Sequence, residues 1–265
     1  LKFFAHNLKT RFRHAQTNVH NQHYSIRPEK IQQVIKSFSP QGTINIFFHS
    51  KRETPDEPWF PHCVVDLNGI AIRYEKFGYP LQNVKGRLEG RGKTWAYRDL
   101  VGTNDTGMVM AEGVSKPTTT GIELDLQIDA RKISLDQELQ HALPPSMRQL
   151  WAQLRPAGDI DASINLNFAS ATKALNLSVT TDLNKIRIEP VFFPYRMENL
   201  SGTVDYENGH ARFSQLVANH GKTNLTASGN CHFSPAGNWT CHFTEFNIDR
   251  LRMDRELLIA LPSGL

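Results

Sequence analysis

The chain resembles itself. Displaced by 116 residues, Asp66-Leu67-Asn68 falls on Asp182-Leu183-Asn184, Ile70 and Ile72 fall on Ile186 and Ile188, and Phe77 and Tyr79 fall on Phe193 and Tyr195. The match continues with Asn83 and Gly86 on Asn199 and Gly202, Leu100-Val101 on Leu216-Val217, and Ala111 and Gly113 on Ala227 and Gly229. Upstream, Pro28, Gln33, Pro40, Gly42 and Ile44 fall on Pro144, Gln149, Pro156, Gly158 and Ile160. Downstream the offset becomes 118, with Asp136, Glu138, Leu139 and Leu143 on Asp254, Glu256, Leu257 and Leu261. An alignment this long and this free of gaps divides the chain into tandem units at 28–143 and 144–262. Residues 1–27 then read as the tail of a preceding unit and 263–265 as the start of a following one, which points to a piece of a longer array. A period of this length far exceeds the roughly 20–50 residues of solenoid repeats, so each unit must hold several secondary elements.

Each unit opens with a helix. In 145–154, Met147, Leu150, Trp151 and Leu154 recur at helical spacing behind Pro144 and Pro145, and Pro156 ends the segment. The counterpart is 28–38, with Ile31, Val34, Ile35 and Phe38 on one face. Strands follow. From Asp159 to Phe168 the alternation is strict, with Ile160, Ala162, Ile164, Leu166 and Phe168 on one side and polar residues on the other. The same period of two places Leu175, Leu177 and Val179 together, Ile186 with Ile188, and Ile122, Leu124, Leu126 and Ile128 together. Turn signals at 207–210, 220–222 and 234–238 make the connections short, which argues for an antiparallel meander. A short helix closes each unit, at 136–143 and 254–261, with Ser134 and Asp136 as cap candidates in the first and Asp254 in the second.

Nearly every strand is thus apolar on one face only, and something must cover that face. A second sheet or a closed barrel would do so. The alternative is an open trough with an oily inside, for which acyl chains are natural occupants. Burying sixteen carbons at about 0.8 kcal/mol per CH₂ is worth on the order of 12 kcal/mol gross. The positions that would line such a trough are Ile44, Ile70, Ile72, Ile122, Leu124, Leu126, Ile160, Ile164, Leu166, Leu177, Val179, Ile186, Ile188 and Leu225. Alternation by itself separates neither option from the other.

The net charge of +4 is spread among scattered acids, without the dense basic stripe of a nucleic-acid binder. No apolar run approaches the roughly 18 residues of a membrane-spanning helix. Ser170-Ala171-Thr172-Lys173 copies an S-x-x-K string without its S-D-N companion, and neither H-E-x-x-H nor G-x-S-x-G occurs. Gly221-Lys222-Thr223 lacks the earlier glycine of a phosphate loop, since Leu216 stands there. The reading is a non-enzymatic chain with no cofactor and no metal. His14, His20 and His23 have the spacing of a solvated loop.

The stretch Phe193-Pro194-Tyr195-Arg196-Met197-Glu198-Asn199-Leu200-Ser201-Gly202-Thr203-Val204-Asp205-Tyr206, continuing from Glu207-Asn208-Gly209-His210 through Leu216-Val217 to Ala227-Ser228-Gly229, resembles the AsmA-like (TamB/YhdP) family of bacterial envelope proteins. Phe77 to Gly113 carries a weaker copy, with Gly90-Arg91-Gly92 in place of the hairpin Asn208-Gly209-His210. The resemblance implies a mainly β fold with short helices, a tandem-repeat antiparallel sheet curved into an elongated open groove. It implies phospholipid acyl chains as partners, transport between membranes or outer-membrane homeostasis, a periplasmic location, and membrane anchors outside this segment. It carries no catalytic residues over.

Cys231-His232-Phe233 and Trp239-Thr240-Cys241 flank a turn near Ala236, which sets Cys231 opposite Cys241 and Phe233 opposite Trp239. A cross-strand disulfide in an oxidising envelope and a pair of buried thiols both fit this arrangement. His232 and His242 fall on the opposite face, away from both cysteines, which argues against zinc.

Overall fold

The computed structural model describes residues 8–13, 36–51 and 60–261. The start of the first predicted helix, His14, His20 and His23, and the residues from 262 onward lie outside that range; Lys36–Phe38, the end of that helix, is helical. The elements in order are β1 (Leu8–Arg13), β2 (Gly42–Lys51), β3 (Phe60–Tyr74), β4 (Phe77–Arg91), β5 (Thr94–Asn104), β6 (Gly107–Pro117) and β7 (Ile122–Ser134). Helices α1 (Gln137–Ala142) and α2 (Pro145–Leu154) come next. They are followed by β8 (Asp159–Ala169), β9 (Ala174–Ile188), β10 (Met197–Glu207), β11 (His210–His220), β12 (Thr223–Phe233), β13 (Trp239–Asp249) and α3 (Arg255–Ala260).

The fold is mainly β with short helices, as the alternation predicts. The strands hydrogen-bond in chain order from β1 to β13, and no pairing joins the two ends, so the sheet is not closed. β2 to β13 run antiparallel. β1 is the exception, lying parallel to β2 with Leu8 opposite Gly42. A parallel neighbour needs a long crossover rather than a hairpin, and residues 14–41 supply the length.

The chain forms two compact units, Leu1–Ile128 with Leu166–Leu175, and Asp129–Asn165 with Asn176–Leu265. Within each, the repeat is written into the backbone. Residues with positive φ recur at the sequence offset: Ser39 and Arg155, Gly42 and Gly158, Gly69 and Lys185, Asn83 and Asn199, Gly86 and Gly202, Asp99 and Gln215. The hairpin register of the first unit is fixed the same way, because Gly92 stands where Asn208 does and both have positive φ. Isolated bridges repeat as well, Gln41 with Ala71 and Ala157 with Arg187.

Most of these positions are β-bulges. In the second unit the ladder slips between Leu200 and Gly202 on β10 and between Phe213 and Leu216 on β11. Each slip adds one residue and resets the alternation. Leu183 and Ile186, three apart, therefore share one face, as do Met197 and Leu200, and Phe213 and Leu216. A bulge frees a backbone N–H, and a side-chain oxygen from the neighbouring strand accepts it. Lys185 N–H donates to Ser201 Oγ at 3.2 Å and Gln215 N–H to Ser228 Oγ at 3.0 Å. Lys132 N–H donates to Asp161 Oδ1 at 2.8 Å. Bulges on adjacent strands bend the sheet and increase its twist.

The helices obey local rules. Asp136 Oδ1 accepts from Leu139 N–H at 2.9 Å to start α1, and Asp254 Oδ1 accepts from Leu257 N–H at 2.8 Å to start α3. Pro145 opens α2, and Arg155 in the left-handed region closes it with its N–H on the Trp151 carbonyl at 2.8 Å.

Candidate functional site

In the second unit the apolar face holds two packed clusters. Ile186, Tyr195, Met197, Leu200 and Ala218 gather under Leu257 and Ala260 of α3. Ala211, Phe213, Ala227, Cys231 and Phe233 gather under Met147 and Leu150 of α2. Leu216 and Leu225 touch both clusters. Helices therefore cover part of this face, a contribution the strand pattern did not signal, because Met147 and Leu150 are more than sixty residues from Phe213 in the chain.

The proposed lining positions divide by burial. Ile186, at 4% exposed, is core in the second unit, and Ile70, also 4%, is core in the first, so neither offers surface to a ligand. Ile160 and Ile188 pack against the Ile186 cluster and stay half-buried. Ile164, Leu177 and Val179 are half-buried, and none of them belongs to either packed cluster. In the first unit Ile44, Ile72, Leu124, Leu126 and Leu166 are half-buried, and Ile122 is 47% exposed. Each unit thus keeps a row of apolar side chains that the protein does not fully cover. Leu175 and Phe47 add exposed apolar surface to the first unit, as Phe243 and Phe246 do to the second.

Cys231 and Cys241 are directly opposed in the β12–β13 ladder and joined as a disulfide, with Phe233 opposite Trp239. The bridge sits in the Phe213 cluster beneath α2 and ties β13 to its neighbour. Cys63 is free and half-buried, and burial pushes its thiol above the ordinary range. His210 and His232 face each other on the polar side, with ring centroids 4.6 Å apart. Among the described residues no group of three or more His, Cys, Asp or Glu is placed to hold a metal ion.

The polar face of the first unit carries an ion-pair network. Glu89 accepts from Arg91 at 2.8 Å and contacts His62 Nε2 at 3.0 Å, with Arg98 at 3.8 Å. The hydrogen bond from Arg91, then that from His62, holds the Glu89 carboxyl below the usual range. Arg87 donates to Asp66 at 2.7 Å, which raises the already high guanidinium value. The arginines are well over half exposed, so water screens the network and it adds little stability.

A shallow recess in the second unit is lined by Glu189, Pro194, Arg196, Glu256 and Ile259. Its mixed charge is not the wall of an acyl site. No helix among the described residues is long and apolar enough to cross a membrane. Comparison with models of protein families, with curated proteins and with solved structures finds no match.

Proposed function

We propose that this chain is a non-enzymatic segment of an AsmA-like envelope protein that holds phospholipid acyl chains along the apolar face of its sheet. Headgroups would stay in water while tails slide on the dry rows. The observation that carries the reading is the row of half-buried aliphatic side chains in each unit, Leu124, Leu126 and Leu166 in the first and Ile164, Leu177 and Val179 in the second. Regular sheet proteins bury such rows against a second layer. An apolar row left in contact with water has a free-energy reason to acquire an apolar ligand. By the same reading the chain works in the bacterial periplasm, between membranes to which segments outside this sequence would tether it, and has no nucleic-acid partner.

The test is lipid retained by the purified protein, measured by mass spectrometry, beside a variant carrying Ile164→Asp and Leu177→Asp. The variant should lose most of the bound lipid while keeping its circular dichroism. Equal lipid in both proteins refutes the reading.

A second reading has its own support. The helices that cover the Ile186 and Phe213 clusters are the kind of lid a closed-core scaffold would have. That scaffold, binding protein partners, predicts no co-purifying lipid from wild-type protein.

A further inference from the structure

One end of the apolar face in the second unit is covered by α3, and the contact that fixes α3 there can be protonated. His220, the last residue of β11, has a side chain only 15% exposed. Its Nδ1 lies 2.8 Å from the carbonyl oxygen of Arg196. A carbonyl can only accept, so Nδ1 carries a proton. Its Nε2 lies 3.4 Å from Asp254 Oδ2 and 3.8 Å from Glu256 Oε2. Only the imidazolium donates on both nitrogens. A neutral ring with its proton on Nδ1 would turn the Nε2 lone pair toward two carboxylates.

Asp254 does two things at once. Oδ1 caps α3 through Leu257 N–H at 2.8 Å, and Oδ2 faces His220. Leu257 is 2% exposed, so the helix that this cap starts is seated in the core. The remaining groups around His220 are accounted for. The Tyr195 ring lies 4.2 Å away and its hydroxyl contacts Thr223 Oγ1, which donates to the Arg250 carbonyl at 3.2 Å. The Arg196 guanidinium is 3.3 Å from Glu198, and Arg250 is 3.2 Å from Asp249. Glu189 joins Arg196 and Glu256 along the adjoining recess, and Lys222 is exposed in the turn that follows β11.

The first unit makes the same contact with a strand-end carbonyl through an amide in place of the imidazole. Asn104 stands 116 residues before His220, and its Nδ2 donates at 2.8 Å to the carbonyl of Pro80, which stands 116 residues before Arg196. The architecture therefore needs a donor at this strand end, and an amide suffices. An imidazole between two carboxylates adds a response to acidity.

We propose that His220, Asp254 and Glu256 form a proton-operated latch. In acid the imidazolium ties α3 over the end of the apolar face. Once the imidazole gives up its proton at higher pH, the tie weakens and α3 lifts from Ile186, Met197 and Leu200. That this opening admits an acyl chain rests on the proposed lipid function; the latch itself does not.

The experiment is hydrogen exchange of the whole chain at about pH 5.5 and about pH 8, the span over which imidazole side chains in general change charge, with rates corrected for intrinsic exchange. Protection of the amides of Leu258, Ile259 and Ala260 falls about threefold between the two in wild type, the change expected when an ion pair to partly exposed carboxylates is lost. In His220→Asn, the residue the first unit uses, protection is the same at both pH values. A second variant, Asp254→Asn with Glu256→Gln, keeps an equally good helix cap and removes the charges, and it too loses the response. Amides of β12 serve as the check that each variant is folded. Protection in wild type that ignores pH overturns the latch, as does a response surviving in both variants. Uptake of a fluorescent hexadecanoyl probe is followed in parallel. An exchange response with no uptake at either pH sinks the lipid reading and leaves the latch; uptake with no exchange response does the reverse.

Discussion

The repeated bulges make a sharp prediction at Gly86 and Gly202. Both have φ near the extreme of the left-handed side, +133° and +135°, a region reserved almost wholly for glycine. Forcing an alanine there costs about 1–3 kcal/mol from the backbone alone. The surroundings then separate the pair. A Cβ at Gly202 would lie 2.8 Å from Leu216 Cδ2, the end of a flexible side chain, and 3.3 Å from its Cα. A Cβ at Gly86 would lie 2.6 Å from the Asp99 carbonyl oxygen and 2.8 Å from Leu100 Cα, which cannot move without the strand. We expect Gly202→Ala to destabilise its unit by about 2 kcal/mol. Gly86→Ala should cost about 4 kcal/mol, because overpacking against backbone adds its own penalty. Gly78 is the control: it has ordinary φ, and nothing lies within 4 Å of its missing Cβ. Gly78→Ala should stay within about 0.5 kcal/mol of wild type. Urea titration read by hydrogen exchange reports the two units separately. If Gly86→Ala and Gly202→Ala unfold at the same urea concentration as Gly78→Ala, the paired glycines do not set the bulges and the reasoning is wrong.

Other outcomes follow from the same structure. Reducing Cys231–Cys241, ten residues apart in the chain, should cost up to about 3 kcal/mol by the loop-entropy relation. The loss should show as exchange along β13 while β9 stays protected; uniform loss across both strands would argue against a local staple. Glu89, whose carboxyl is lowered by Arg91 and His62, contributes stability that is present above the ordinary glutamate range and is lost as pH falls through its lowered folded value. Glu89→Gln should therefore be less stable than wild type at neutral pH and should converge with it in acid. A gap that widens on acidification would reverse the sign and refute the assignment.

The half-buried rows and the helix-covered clusters pull toward different functions, and in the second unit no residue of the row Ile164, Leu177 and Val179 belongs to either cluster. In the second unit the covered part is built on β10 to β12 together with Ile186 at the end of β9, and its buried members range from Ala211, Ala218 and Ala227 to Leu200 and Phe213. The uncovered part is the middle of β8 and β9, where Ile164, Leu177 and Val179 are long or branched and none is placed in either cluster. Leu177→Ala or Val179→Ala should cost well under the 2–5 kcal/mol of a buried truncation, whereas the same change at Leu200 should approach it.

Properties decided by neighbours in the chain were legible beforehand. The strands follow from a period of two, the cap at Asp254 from an aspartate at a helix start, and the opposition of Cys231 and Cys241 from a short turn; for α1, Ser134 and Asp136 both qualified, and the fold uses Asp136. Properties decided by approach between distant segments were not. The phase of the alternation slips at Lys185 and Gln215, and neither residue type announces a positive φ; only the adjoining strand, with Ser201 or Ser228 ready to accept the freed N–H, makes the slip affordable. His220 and Asp254 are both unremarkable in a list of residues. Their meeting depends on where β11 ends and where α3 lands, which is a matter of packing free energy over the whole unit rather than of any local preference.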